Sequence, residues 1–126
     1  MKSAEPLKIL VVDDEVVVQE TLADMMAHFG HTADRANDGV SGKKHMEQDR
    51  YDAAFVDMRM PGIDGMSLLK WSRQAHLPLP IIIMTGHGQT DARDAALQSG
   101  AFAFLNKPFS LKEIKDLLKA IRNRQK

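Results

Sequence analysis

The chain has no cysteine, which rules out disulfides and thiolate chemistry and fits a reducing compartment. It has no net charge: 17 basic side chains balance 17 acidic ones, so the basic footprint of a nucleic-acid binder is missing. It has no unbroken apolar stretch of membrane-spanning length, and its polar opening, Met1-Lys2-Ser3-Ala4-Glu5-Pro6, does not read as a secretory signal. No internal repeat, low-complexity tract or linker divides it. What remains is an ordinary globular composition, 44% hydrophobic over 126 residues, and residues 1–126 read as one domain with enough chain for a true core.

The charges that are present sit in telling places. Ile9-Leu10-Val11-Val12 runs into Asp13-Asp14-Glu15, and Ala53-Ala54-Phe55-Val56 runs into Asp57. Ile81-Ile82-Ile83-Met84 ends on Thr85, and Ala103-Phe104-Leu105 leads through Asn106 to Lys107-Pro108. Short runs of this kind read as buried strands. His31 to Ala36 supplies one more. Between them lie amphipathic stretches: Val18, Leu22, Met25 and Phe29 up to a stop at Gly30, then a helix after Asn37-Asp38-Gly39. A third follows the loop Met60 to Gly65 and carries Leu68, Leu69 and Trp71. The fourth is a small-residue helix with Ala92, Ala95, Ala96 and Leu97. The fifth carries Leu111, Ile114, Leu117, Leu118 and Ile121, with Ser110 and Glu113 spaced as a capping box. Its lysines and arginines read as dipole compensation and solvation. The second helix is expected to be the least stable, because Gly42 lies inside it and an interior glycine costs about 1 kcal/mol against alanine.

Five strands alternating with five helices predict an α/β fold, a flavodoxin-like (βα)5 three-layer sandwich with a parallel sheet of order 2-1-3-4-5. In such a sheet the functional crevice lies beyond the carboxyl ends of the strands, where the strand order reverses. That point falls between the strands ending in Asp13-Asp14 and in Asp57. Two unit charges about 4 Å apart repel by roughly 4 kcal/mol at an effective dielectric near 20. The cluster must therefore bind protons, a metal ion or a cationic side chain. Carboxylates without histidine or cysteine make a hard oxygen site suited to Mg²⁺, and Lys107 offers a second positive charge. The five histidines show no ligand-like spacing and read as surface or packing residues. A metal ion plus an ammonium can neutralise an incoming phosphoryl group, and an aligned carboxylate can attack it to form an acyl phosphate. Thr85 could donate a hydrogen bond to a phosphoryl oxygen, and Gly86 leaves room for a donor.

Taken together, Ile9 to Glu15, Val56 to Gly65, Met84-Thr85-Gly86 and Phe104 to Phe109 resemble the receiver domain of two-component response regulators. The likeness runs from Lys8 to about Arg122. It implies that Asp57 is the phosphoacceptor. It implies Asp14 and Asp57 as direct Mg²⁺ ligands, Asp13 acting largely through water and the Arg59 backbone carbonyl adding a ligand. Thr85 and Lys107 are implied as the phosphoryl-sensing pair, and Phe104 as an aromatic switch that turns inward when Thr85 moves. The Lys107–Pro108 bond is implied to be cis.

The implied function is phosphorelay signalling without enzymatic turnover, in the cytoplasm. The phosphoryl group would come from a sensor histidine kinase or a phosphotransfer protein, and the output would be read on the face of the fourth helix, fifth strand and fifth helix. A homodimer through that face is left open, whereas direct nucleic-acid or membrane binding is not implied. Met84 to Gly88 is similar to the nitrogen-regulation class of transcription activators. Gly42 and Lys43 depart from the family pattern and are expected to weaken local packing, while Arg59 and His87 occupy variable positions beside the site. Three other readings fit less well. A non-phosphorylated module of the same fold would usually lack an acid or the lysine. A flavodoxin-like cofactor binder would not place Asp13-Asp14-Glu15 where phosphates sit. An aspartyl phosphatase would usually carry a second acid where Arg59 stands.

Overall fold

A computed structural model describes residues 5–86 and 90–125. His87 and Gly88, singled out above, lie outside that range. Elements follow one another as β1 (Lys8–Val12), α1 (Val16–His28), β2 (Thr32–Ala36), α2 (Gly39–Gln48), β3 (Ala53–Asp57), α3 (Gly65–Gln74), β4 (Ile81–Thr85), α4 (Thr90–Gln98), β5 (Ala103–Asn106) and α5 (Leu111–Arg124). All neighbouring strands are parallel, in the order β2-β1-β3-β4-β5. The expected alternation and strand order are both present.

Strand periodicity divides the core in two. Leu10, Val12, Ala54, Val56, Ile81 and Ile83 point to one face, where Met46 of α2, Leu68 and Leu69 of α3 and Ala96 of α4 cover them. Ile9, Val11, Ala53, Phe55, Ile82 and Met84 point to the other, under Leu22 and Met26 of α1 and Ile114, Leu118 and Ile121 of α5. The central strands β3 and β4 are buried along their whole length, as a doubly covered parallel sheet requires. Edge strand β2 is polar and mostly accessible, with Asp34 and Arg35 at its middle.

Caps fix where the helices begin. Asp38 accepts from the Ser41 N–H at 2.8 Å and Asp64 from the Ser67 N–H at 2.8 Å. Ser110 and Glu113 form the reciprocal capping box of α5. Leu111, expected on the buried stripe, is instead exposed in the first turn of that helix.

The glycine of α2 needs a different account from the one its sequence invites. Gly42 is buried, and a Cβ there would stand 2.9 Å from both methyls of Val12. Those methyls belong to a stiff, fully buried β-branched side chain. The missing side chain lets α2 lie directly on β1, so Gly42 permits packing rather than weakening it. Lys43 beside it places its ammonium 5.1 Å from the Trp71 ring centroid, joining α2 to α3.

Candidate functional site

Sheet register assembles the site. Val12 pairs with Val56, so the next residues on the two strands, Asp13 and Asp57, emerge side by side. Thr85 pairs with Asn106, and the Lys107 N–H then donates to the Thr85 carbonyl at 2.8 Å. Four strands, β1, β3, β4 and β5, thus deliver two acids, a hydroxyl and an amine to one end of the sheet. Asp13, Asp57 and Thr85 are all buried there.

Lys107 is the hub. Its Nζ lies 2.9 Å from Asp13 Oδ2, 3.0 Å from Asp57 Oδ1 and 3.4 Å from Glu15 Oε1. The Asp57 contact is a hydrogen bond. The Asp13 contact is an ion pair without hydrogen-bond alignment, and among the described residues Asp13 Oδ2 has no hydrogen-bond partner although it is fully buried. The other Asp13 oxygen accepts from the Glu15 N–H at 2.9 Å. Asp14 is exposed at the rim and does not cap α1, whose first turn follows Glu15. Oxygens of Asp13, Asp14 and Asp57 lie within 4.8 Å of one another, so one cation could touch all three.

The electrostatics follow from that crowding. Burial, more than anything else, pushes the Asp57 carboxyl above the ordinary carboxylate value; Asp13 and Asp14 push the same way, and the Lys107 ammonium opposes them. Burial alone would lower Lys107, but the adjacent carboxylates of Asp13 and Asp57 outweigh it and hold the ammonium above its usual range. Among the described residues, one ammonium faces three acids, and a buried oxygen has no hydrogen-bond donor. This is the donor set a hard divalent cation fits.

Glycines bring the surrounding loops close. A Cβ on Gly65 would fall 2.3 Å from the Asp57 carbonyl oxygen, and one on Gly39 would fall 2.1 Å from the Ile63 carbonyl oxygen. Asp64-Gly65 is therefore more than a turn signal: it seats the start of α3 against the backbone of Asp57. At Gly86 an added Cβ would meet no described atom within 4 Å, consistent with an open approach beside Thr85.

The remaining sequence candidates sort clearly. Arg59 is exposed, two residues beyond Asp57. Phe104 is half-buried on the side of the sheet covered by α2, α3 and α4. Its near neighbour in sequence, Phe102, packs on the opposite side, against the core under α1 and α5. The Lys107–Pro108 peptide is cis, as implied. Sequence reasoning missed Gln19. It is buried on α1, and its amide donates to the Asp13 carbonyl at 2.6 Å and to Asn37 Oδ1 at 2.8 Å. The signal was available, because positions 19, 22 and 26 share one helical face and only the first is polar.

The response regulator receiver domain family model matches residues 9–119. Response regulator MprA of Mycobacterium ulcerans (strain Agy99) is 36% identical over 120 residues, which is 95% of this chain and 52% of that protein. The chain thus spans about half the length of the curated relatives it matches. Among solved structures, the receiver domain of Francisella response regulator 1452 superposes with a TM-score of 0.89 at 30% identity, covering 95% of this chain and 99% of that one. The receiver domain of NtrX from Brucella abortus gives 0.84 at 30% identity, covering 90% and 96%. With strand ends, acid cluster and lysine already in place, this chain belongs to the receiver domains of response regulators, the phosphorelay modules of two-component signalling.

Proposed function

We propose that residues 1–126 act as one receiver unit that takes a phosphoryl group onto Asp57. The observation that carries this reading is the ammonium of Lys107 held 3.0 Å from Asp57 Oδ1 beside acids close enough for one cation to touch three of them. An Asp57 oxygen attacks phosphorus, a P–O bond forms, and the P–N bond to a donor histidine breaks with its electron pair leaving on the imidazole. Asp13, Asp14, Asp57 and the Arg59 carbonyl would hold Mg²⁺. That ion, when bound, supplies the charge neutralisation that phosphoryl transfer needs. Lys107 pairs with a phosphoryl oxygen, and Thr85 donates its hydroxyl to another. Movement of Thr85 then opens space that Phe104 fills, which changes the face of α4, β5 and α5.

The donor is a sensor histidine kinase or a phosphotransfer protein in the cytoplasm. Each chain takes one phosphoryl group and assists both its arrival and its loss, so the unit is a stoichiometric switch rather than an enzyme with turnover. Pairing of two copies through α4-β5-α5 is one form the output can take, with no contact of this unit to nucleic acid or membrane. Acetyl phosphate with Mg²⁺, followed by intact mass, tests the chemistry. A single adduct that disappears in Asp57→Asn is expected. An adduct that survives that substitution would overturn the assignment.

A further inference from the structure

Among the described residues Lys107 makes three acidic contacts, and only two of them are to proposed metal ligands. The third is Glu15, whose carboxylate lies 3.4 Å from the ammonium and is 65% exposed. Its backbone is fixed, since the Glu15 N–H donates to Asp13 Oδ1 at 2.9 Å. Its side chain is not consumed by helix capping: α1 begins after Glu15 with no side-chain cap. Glu15 also stands outside the trio of carboxylates close enough to share one cation. The cluster therefore contains one acid that touches the lysine without belonging to the metal set.

That placement matters once Asp13 and Asp57 turn their oxygens to a divalent ion. Lys107 would then give up its two shortest contacts, to Asp13 and Asp57, with a divalent ion nearby. Without another partner the ammonium would swing to solvent, because a long flexible side chain gains freedom by doing so. We propose that Glu15 is a positioning residue that retains Lys107 at the rim of the site when Asp13 and Asp57 are taken up by Mg²⁺. The ammonium is thereby kept where a phosphoryl oxygen will arrive. This rests on the metal assignment above and adds a role for a residue that touches neither metal nor phosphorus.

The test is Mg²⁺ affinity by titration calorimetry on wild type, Glu15→Gln and Glu15→Asp, with Lys107→Met as a second background. Glu15→Gln removes the charge, while Glu15→Asp keeps it one methylene farther from the ammonium. Both are expected to weaken Mg²⁺ about two- to fivefold, the range of a partly exposed ion pair. In the Lys107→Met background the Glu15→Gln effect is expected to vanish. The aspartate variant requires no change at Lys107, so it decides the matter even if Lys107→Met does not fold. Wild-type affinity in Glu15→Asp, or an undiminished Glu15→Gln effect without the lysine, would show that Glu15 acts as a diffuse charge and overturn the proposal. Absence of Mg²⁺ binding to wild type would instead overturn the metal assignment, and this proposal with it.

Discussion

The two ends of the sheet are built from the same residue types and reach opposite results. At the amino end, charges and polar groups are matched. Asp52 accepts from the Lys8 N–H at 2.7 Å and from Gln125 Nε2 at 2.6 Å. Lys8 pairs with Asp49 at 3.1 Å, Arg73 donates to the carbonyls of Leu77 and Leu79, and Arg122 donates to the Glu5 carbonyl. His31 Nδ1 accepts from the Leu7 N–H at 2.9 Å. At the carboxyl end, three acids crowd one lysine and, among the described residues, a buried oxygen goes without a hydrogen bond. One end closes the fold. The other gathers its acids around a single ammonium, close enough for one cation to touch three of them.

The sharpest way to break this contrast is to disturb the seat of Asp57. Gly65→Ala would drive a methyl into the Asp57 carbonyl, where backbone and not a flexible side chain must yield. A loss of about 2–3 kcal/mol in urea unfolding is expected, together with slower acyl phosphate formation. A fully stable, fully reactive variant would mean that the close approach is not required.

A milder change should separate the ends. Asp52→Ala leaves the Lys8 N–H and Gln125 without their acceptor, and about 1–2 kcal/mol of stability should go with it. Mg²⁺ affinity should not change. A weakened metal site would show that the two ends are coupled through β1 and β3.

The smallest effect is in pH dependence, where the ends should respond with opposite sign. Folding raises the Asp57 pKa, so the metal-free fold binds that proton more tightly than the unfolded chain does. Stability should fall as pH rises from 3.8 through the raised value, and Asp57→Asn should abolish that fall. Burial, aided by Arg122, lowers the His31 pKa, so that contribution is present above 6.5 and is lost as pH drops through the lowered value. Calorimetric melting against pH, with and without Mg²⁺, would resolve the two. Added Mg²⁺ should lift the Asp57 arm alone.

Much of this was legible in the sequence because strands and reactive ends coincide. Apolar runs that stop on Asp13, Asp57 and Thr85 carry both the fold and the site, and parallel register does the rest. What stayed hidden depends on distances between backbones. Gly42 looked like a defect until Val12 was seen against it. Asp64-Gly65 looked like any turn until Gly65 was seen against Asp57. Glu15 and Gln19 were hidden for a related reason: a polar residue near an acid cluster does not announce whether it meets the lysine, the backbone or water.

Edge strand β2 has a bearing on how copies of the molecule coexist. An open parallel sheet offers an unpaired backbone ladder along each margin, a template on which a second chain could extend the sheet into a fibre. Here one margin carries Asp34 and Arg35 mid-strand, and the other is a strand of four residues that stops before its cis peptide. Charge on one border and brevity on the other discourage stacking in either direction.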